Sequence, residues 1–243
     1  MARVPEHTFP LSPAQLGMFY AQQLDPGVPL SEAQYIEMHG PLDVTTLRGV
    51  AAQAGREFGS GVLRFVEIGD RPYQVVEAGV EPTVGFLDFR DRTDPVAAAL
   101  AWMRADVAEP IDMFGASAGV STVIRVGESH HLWYTRAHHL LIDGFGSVTM
   151  LYRVAELYNA AVRGQPAPPG TAASLLDVHE AEMAYRESSR YATDEHYWRE
   201  ATAGMPDRCS LVASTAPACA LGREARARLG DRTASSARWS VPT

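Results

Sequence analysis

The sequence predicts an α/β layered sandwich, with a mixed, largely antiparallel sheet and flanking helices. Three observations carry that expectation. Helical and strand-like segments are interspersed along the chain rather than segregated. Neighbouring strand-like runs are joined by short turns rich in Gly, Asp and Ser, as in hairpins. Neither GxGxxG nor GxxxxGK[ST] occurs, so nothing marks a doubly wound nucleotide-binding sheet. With 243 residues, 46% of them hydrophobic and 21% charged, the chain can form one large domain or two small ones.

Each element has a local reason. Ser12 is a suitable N-cap and Pro13 suits the first helical position, predicting a helix through Leu24. The turn Asp25 to Pro29 leads to a strand from Ala33 to His39, closed by Gly40-Pro41. Asp43 caps a second helix with Leu47, Val50, Ala51, Ala54 and Phe58 on one face, ended by Gly59-Ser60-Gly61. Val62 to Ile68 and Tyr73 to Glu77 read as a hairpin around Gly69-Asp70-Arg71-Pro72, and Val84 to Phe89 as a further strand. Asp94-Pro95 opens a helix through about Ala108. Val120 to Val126 and His131 to Ala137 form another hairpin around Gly127-Glu128-Ser129. A helix from Ser147 to Arg163 is expected to bury Val148, Leu151, Tyr152, Ala155, Tyr158 and Val162, with Gly164 and Pro166 stopping it. After a Pro-rich linker, Pro166 to Gly170, a single helical stretch runs from Ser174 to about Ala203. Beyond Met205-Pro206 the periodicity weakens.

Composition narrows the function. A net charge of −8 argues against nucleic-acid binding, which requires a basic face. The only cysteines, Cys209 and Cys219, suggest neither a disulfide scaffold nor a zinc motif. No export signal precedes Pro10 and no long apolar run suggests a membrane span, so a soluble cytoplasmic protein is the expectation.

One segment carries chemistry: His138-His139-Leu140-Leu141-Ile142-Asp143-Gly144, directly after a strand-like run and before a helix. A histidine can accept and return a proton near neutrality. Adjacent histidines leaving a strand point to opposite faces, so one can reach a cavity while the other packs beneath. The same divergence argues against both binding one metal ion. Asp143, past the turn, can bond an arginine or a backbone amide, and Gly144 is expected to let the following helix approach closely. A solvated loop is the plainer alternative. No GxSxG accompanies the histidines, so a histidine acting directly between two substrates fits better than a nucleophile elbow.

The segment resembles the HHxxxDG signature of condensation domains of nonribosomal peptide synthetases, within the chloramphenicol-acetyltransferase-like superfamily. Leu11-Ser12-Pro13-Ala14-Gln15-Leu16-Gly17-Met18-Phe19 resembles that family's opening motif, and Tyr197-Trp198-Arg199 resembles the Tyr-Trp that closes a helix in its first half. The likeness spans about Thr8 to Pro206. It departs at the second motif, eroded to Arg56-Glu57-Phe58 and Val62-Leu63-Arg64-Phe65, and at Gly146, where the family usually has Ser. The chain is also about half the family's usual length.

The resemblance implies an N-terminal subdomain over 8–206 and a crossover, 207–243, towards a C-terminal half. It implies an acyl or peptidyl group passing from a donor carrier-protein thioester to the amine of an acceptor aminoacyl thioester. His139 is then the catalytic residue. His138, Asp143, Gly144 and Arg64 are supporting, with Arg64 the partner of Asp143 and backbone amides near Gly144 available to the oxyanion. No cofactor or metal is implied on the chain itself, since the substrates ride on the phosphopantetheine of the donor and acceptor peptidyl carrier proteins. The other partners implied are the C-terminal half and neighbouring synthetase domains, with no nucleic acid and no membrane. An isolated half is expected to be inactive. The alternatives are an epimerisation domain, which typically lacks Gly after the Asp, a coenzyme A-dependent acyltransferase, or a non-catalytic carrier-docking half-domain. Heterocyclisation domains carry Asp in place of the leading histidines and are excluded.

Overall fold

The computed structural model describes residues 8–76, 79–115 and 118–205. Pro206, the expected crossover 207–243, and Cys209 and Cys219 within it, lie outside the described residues. The chain divides into two compact units, and the division falls between Asp177 and Val178.

In the first unit, β1 (Thr8–Pro10) precedes α1 (Pro13–Leu24), β2 (Ser31–His39), α2 (Val44–Glu57), β3 (Leu63–Glu67) and β4 (Pro72–Val76). Then come β5 (Gly85–Asp88), α3 (Pro95–Ala108), β6 (Gly119–Gly127), β7 (His130–His138) and α4 (Gly144–Val162). One sheet runs β1-β4-β3 and the other β2-β7-β6-β5. All pairings are antiparallel except β5 with β6, so the mixed, largely antiparallel α/β architecture stands.

The four-stranded sheet is covered on both faces. Leu47, Val50 and Ala54 of α2 and Val154, Leu157 and Tyr158 of α4 bury Val123 and Trp133 on one face. Ala99 and Met103 of α3 pack with Ile124, Leu132 and Tyr134 on the other. Inward residues alternate along each strand, as the pleat requires. A third cluster joins Leu11 and Phe19 at the N-terminus, Leu63 and Phe65 of β3, and Leu140 from the double-histidine segment.

One element was missed and three expectations need correction. The short β1 was not legible, because three residues carry no periodicity. Helix α4 begins at Gly144 rather than Ser147, because Asp143 caps it. Its buried residues are Ser147, Arg153, Val154, Leu157, Tyr158 and Ala160, while Val148 and Tyr152 are exposed. On this rotated face Val154, Leu157 and Tyr158 join the core, and Arg153 turns inward to pair with Glu57 at the end of α2, with Nε–Oε2 at 2.6 Å. Finally, the last helical stretch is two helices, α5 (Leu175–Arg186) and α6 (Ser189–Ala201). Ser188 divides them: its hydroxyl donates to the Tyr185 carbonyl and accepts from the Tyr191 N–H, ending one helix and capping the next. In the second unit the Tyr185 hydroxyl also donates to Asp194 at 2.8 Å, tying α5 to α6.

Candidate active site

The double histidine leaves the end of β7, the strand paired on both sides by β2 and β6. His138 is 1% exposed. Its Nδ1 accepts the Leu140 N–H at 3.1 Å, which fixes the neutral tautomer with the proton on Nε2. Burial, reinforced by the neighbouring charge of His139, holds His138 below the ordinary histidine value. His139 is only half-buried. Its backbone N–H is held by the Leu30 carbonyl at 3.0 Å, extending the ladder one step past the strand. The pair divides between a packed support and an accessible ring, as alternation predicts.

The loop between His139 and α4 is fastened at two places. Asp143 is exposed, and its Oδ1 accepts the Gly146 N–H at 2.7 Å as the N-cap of α4. Among the described residues, therefore, the Asp143 carboxylate is satisfied by backbone rather than by an arginine. Arg64 sits on β3 and lines a cavity beneath the loop. The second fastening is Gln15, whose Nε2 donates to the Leu140 carbonyl at 3.0 Å and to Gln74 Oε1 at 3.1 Å. Its own Oε1 accepts from the Ser12 N–H at 2.9 Å in a capping box. The Ser-x-Ala-Gln segment thus caps its helix and clasps the histidine loop with the same side chain.

The glycines divide differently from expectation. A Cβ at Gly144 would meet only Glu32 Oε1, at an ordinary 3.8 Å, so close helix approach does not depend on it. A Cβ at Gly146 would lie 2.9 Å from Ile142 Cγ1 and 3.3 Å from Asp143 Oδ1. The close approach is therefore at Gly146, the position where a serine is usual.

The cavity measures about 150 Å³ and is lined by Glu32, Arg64, Thr135, Ile142, Ser147 and Met150 among others. It runs up to the loop through Leu141 and Ile142, but neither His138 nor His139 lines it. Glu32 is a residue that the sequence pattern alone does not reveal. It lies on the inward side of β2 with Gln34, Ile36 and Met38, and pairs with Ala137. Burial pushes its carboxyl up, while the nearby His139 charge pulls it down, Asp143 raises it and the Ser147 hydroxyl lowers it. Gln34, two residues on, donates to the same Ser147 hydroxyl. The signal is present as two polar residues in phase with Ile36 and Met38, but it needs the strand register to be read. The eroded second motif is also accounted for in part: Glu57 pairs with Arg153, which holds its carboxyl below the ordinary range.

The opening amides of α4 are partly committed. The Gly146 N–H serves Asp143 Oδ1 and the Ser147 N–H serves the Asp143 carbonyl. An oxyanion therefore does not have these two donors, and the arrangement offers chiefly an accessible imidazole near a half-buried carboxyl.

The condensation-domain family model matches residues 5–234. The dimodular nonribosomal peptide synthase of Bacillus subtilis (strain 168) is 35% identical over 205 residues, covering 84% of this chain and 9% of that protein. The isonitrile lipopeptide synthase of Streptomyces coeruleorubidus is 34% identical over 212 residues, covering 85% and 14%. Among solved structures, a variant starter condensation domain of rhizomide synthetase, in complex with C8-CoA and Leu-SNAC, is similar with a TM-score of 0.80 at 30% identity. That match covers 86% of this chain and 48% of the solved one, so the chain spans about half of that domain and a small part of the curated relatives.

Proposed function

The chain belongs to the condensation-domain family and has its chloramphenicol-acetyltransferase-like fold, and from that premise we propose that it forms part of a peptide-bond-forming acyltransferase. In the intact parent, the donor is an acyl or peptidyl thioester on one carrier protein and the acceptor an aminoacyl thioester on another. The acceptor amine attacks the donor carbonyl carbon, the C–N bond forms, and the C–S bond breaks as the tetrahedral intermediate collapses. The amine proton goes finally to the departing thiolate of the donor phosphopantetheine. That group belongs to the substrates, and this chain requires no cofactor of its own. The rhizomide synthetase complex supports this substrate class, since it holds an acyl thioester together with an aminoacyl thioester.

The observation that carries the reading is the division of the double histidine: His138 packed and neutral, His139 half-exposed on a loop held by Asp143 and Gln15. Thioesters are already activated, so most of the acceleration comes from orienting two tethered reactants. His139 contributes by accepting the amine proton or by holding the amine in line through a hydrogen bond. His138 and Asp143 support the loop, with Gly144 as the first residue of α4, and Arg64 belongs to the wall beneath.

His139→Ala in the intact parent is expected to lower carrier-to-carrier transfer by about 10²–10⁴-fold with the melting temperature unchanged. Undiminished product overturns the assignment. Equal turnover with free coenzyme A thioesters, without a carrier, favours the coenzyme A-dependent reading instead. One observation favours a second reading, a domain that binds a carrier protein without turnover: His139 does not line the cavity. Carrier binding by this chain without product formation, even when the remaining half is supplied, decides for it. The cytoplasm is the proposed setting; no helix among the described residues is long and apolar enough to cross a membrane.

A further inference from the structure

The other end of the β2–β7 ladder carries a cluster that the proposed reaction does not use. The antiparallel register sets His39 opposite His130, and Glu37 precedes His39 by one pleat on the same face. The His130 Nε2 lies 2.8 Å from Glu37 Oε1, and the His39 Nε2 lies 3.4 Å from that oxygen. The two imidazoles stack with centroids 4.3 Å apart and planes 26° apart. One ligand atom from each residue falls within 4.8 Å of the other two.

This donor set has the chemistry of a metal site. Two imidazoles and one carboxylate suit borderline divalent metals, zinc above all. A tetrahedral zinc ion with ligands at about 2.0–2.1 Å keeps its donor atoms roughly 3.3 Å apart. The observed 2.8 and 3.4 Å separations from the Glu37 oxygen lie on either side of that value, and the stacked imidazoles must turn out of their stack to aim both Nε2 lone pairs at one ion. The ligands also stand on a fixed frame. The Gly40 N–H donates to the Ser129 carbonyl at 2.8 Å, closing the ladder just beyond them. His39 is 67% exposed, which leaves room for water at a remaining position. Eight residue steps along β2, about 27 Å at 3.4 Å per residue, separate this cluster from the end that bears His138.

We propose that Glu37, His39 and His130 form a divalent-metal site of the zinc class, which braces edge strand β2 against β7 at a distance from the reacting groups. The three residues come from two strands far apart in sequence, which is why no metal spacing motif reveals them.

The test is calorimetric titration of ZnCl₂ into the tag-free, chelator-stripped 243-residue chain at neutral pH. The wild type is expected to bind one equivalent more than the His39→Asn/His130→Asn double variant. Each single substitution, and Glu37→Gln, is expected to weaken that equivalent by at least about tenfold, since even supporting partners of metal ligands are worth that much. His196→Asn, which removes an exposed helical His–Glu pair, is the control and should change nothing. Zinc should also raise the melting temperature of the wild type but not of the double variant, while the metal-free melts coincide. Identical titrations of wild type and double variant, or loss of the equivalent in His196→Asn, overturn the proposal.

Discussion

Strand β7 begins with His130-His131, and the same dipeptide, His138-His139, straddles its far end; the two ends differ in almost every other respect. Alternation divides both pairs, burying His131 and His138 and leaving His130 and His139 more accessible. The surroundings of each pair set its chemistry. At the start of β7 the ring of His130 meets another histidine and a glutamate on the paired strand, in contact with solvent. At its end the chain turns into a capped helix, Leu140 plugs a hydrophobic cluster, and Gln15 seizes the Leu140 carbonyl. A double histidine is therefore not the signal by itself. What differs is the fastening: at the far end the loop that carries His139 is held by Gln15 and by the Asp143 cap.

The largest test of this contrast is Leu140→Ala. Leu140 is 2% exposed, and its truncation should cost about 3 kcal/mol, or roughly 9 °C in melting temperature. Parent activity should fall with it. A loss below about 1 kcal/mol would mean that the plug does not hold the loop.

Acid probes burial rather than position, because a buried histidine occurs at each end. Burial lowers the pKa of both His131 and His138 in the folded state. Their stabilising effect is therefore complete above the unfolded value of about 6.5, and it disappears as pH falls through the lower folded values. Denaturant melts between pH 7 and 5 should show stability declining. His138→Asn should make that decline shallower, and an unchanged slope would refute neutral burial.

Asp143→Ala removes a single cap and should cost about 1 kcal/mol, near 3 °C. Asp143→Asn should recover most of it, since an amide oxygen also caps. Recovery by Asn would not be expected if the carboxylate served an arginine. The smallest effect belongs to the exposed end: without metal, His39→Ala should change stability by less than about 0.5 kcal/mol. A larger change would show that the stacked pair is already structural.

The same contrast explains what could be read from the residues alone. Hairpins, caps and most helix bounds follow from Pro13, Asp43, Pro95 and the glycine turns, because these act over a few neighbours. The opposed faces of His138 and His139 follow from alternation. Glu32 and the rotated face of α4 were not readable, since one depends on register and the other on tertiary contacts, including the buried pair of Arg153 with Glu57. The role of Asp143 was half legible: a backbone amide was one of its two expected partners, and helix capping selects it. The Glu37, His39 and His130 cluster was hidden for the same reason as Glu32.

The clasp between Gln15 and Leu140 spans 125 residues of sequence. Closing so long a loop carries an entropic cost that must be met before the bond contributes anything. The histidine loop should therefore be set late in folding, after both sheets exist, and released early when α1 peels away. A transient opening at the N-terminus would then silence the site while the rest of the sandwich stays folded.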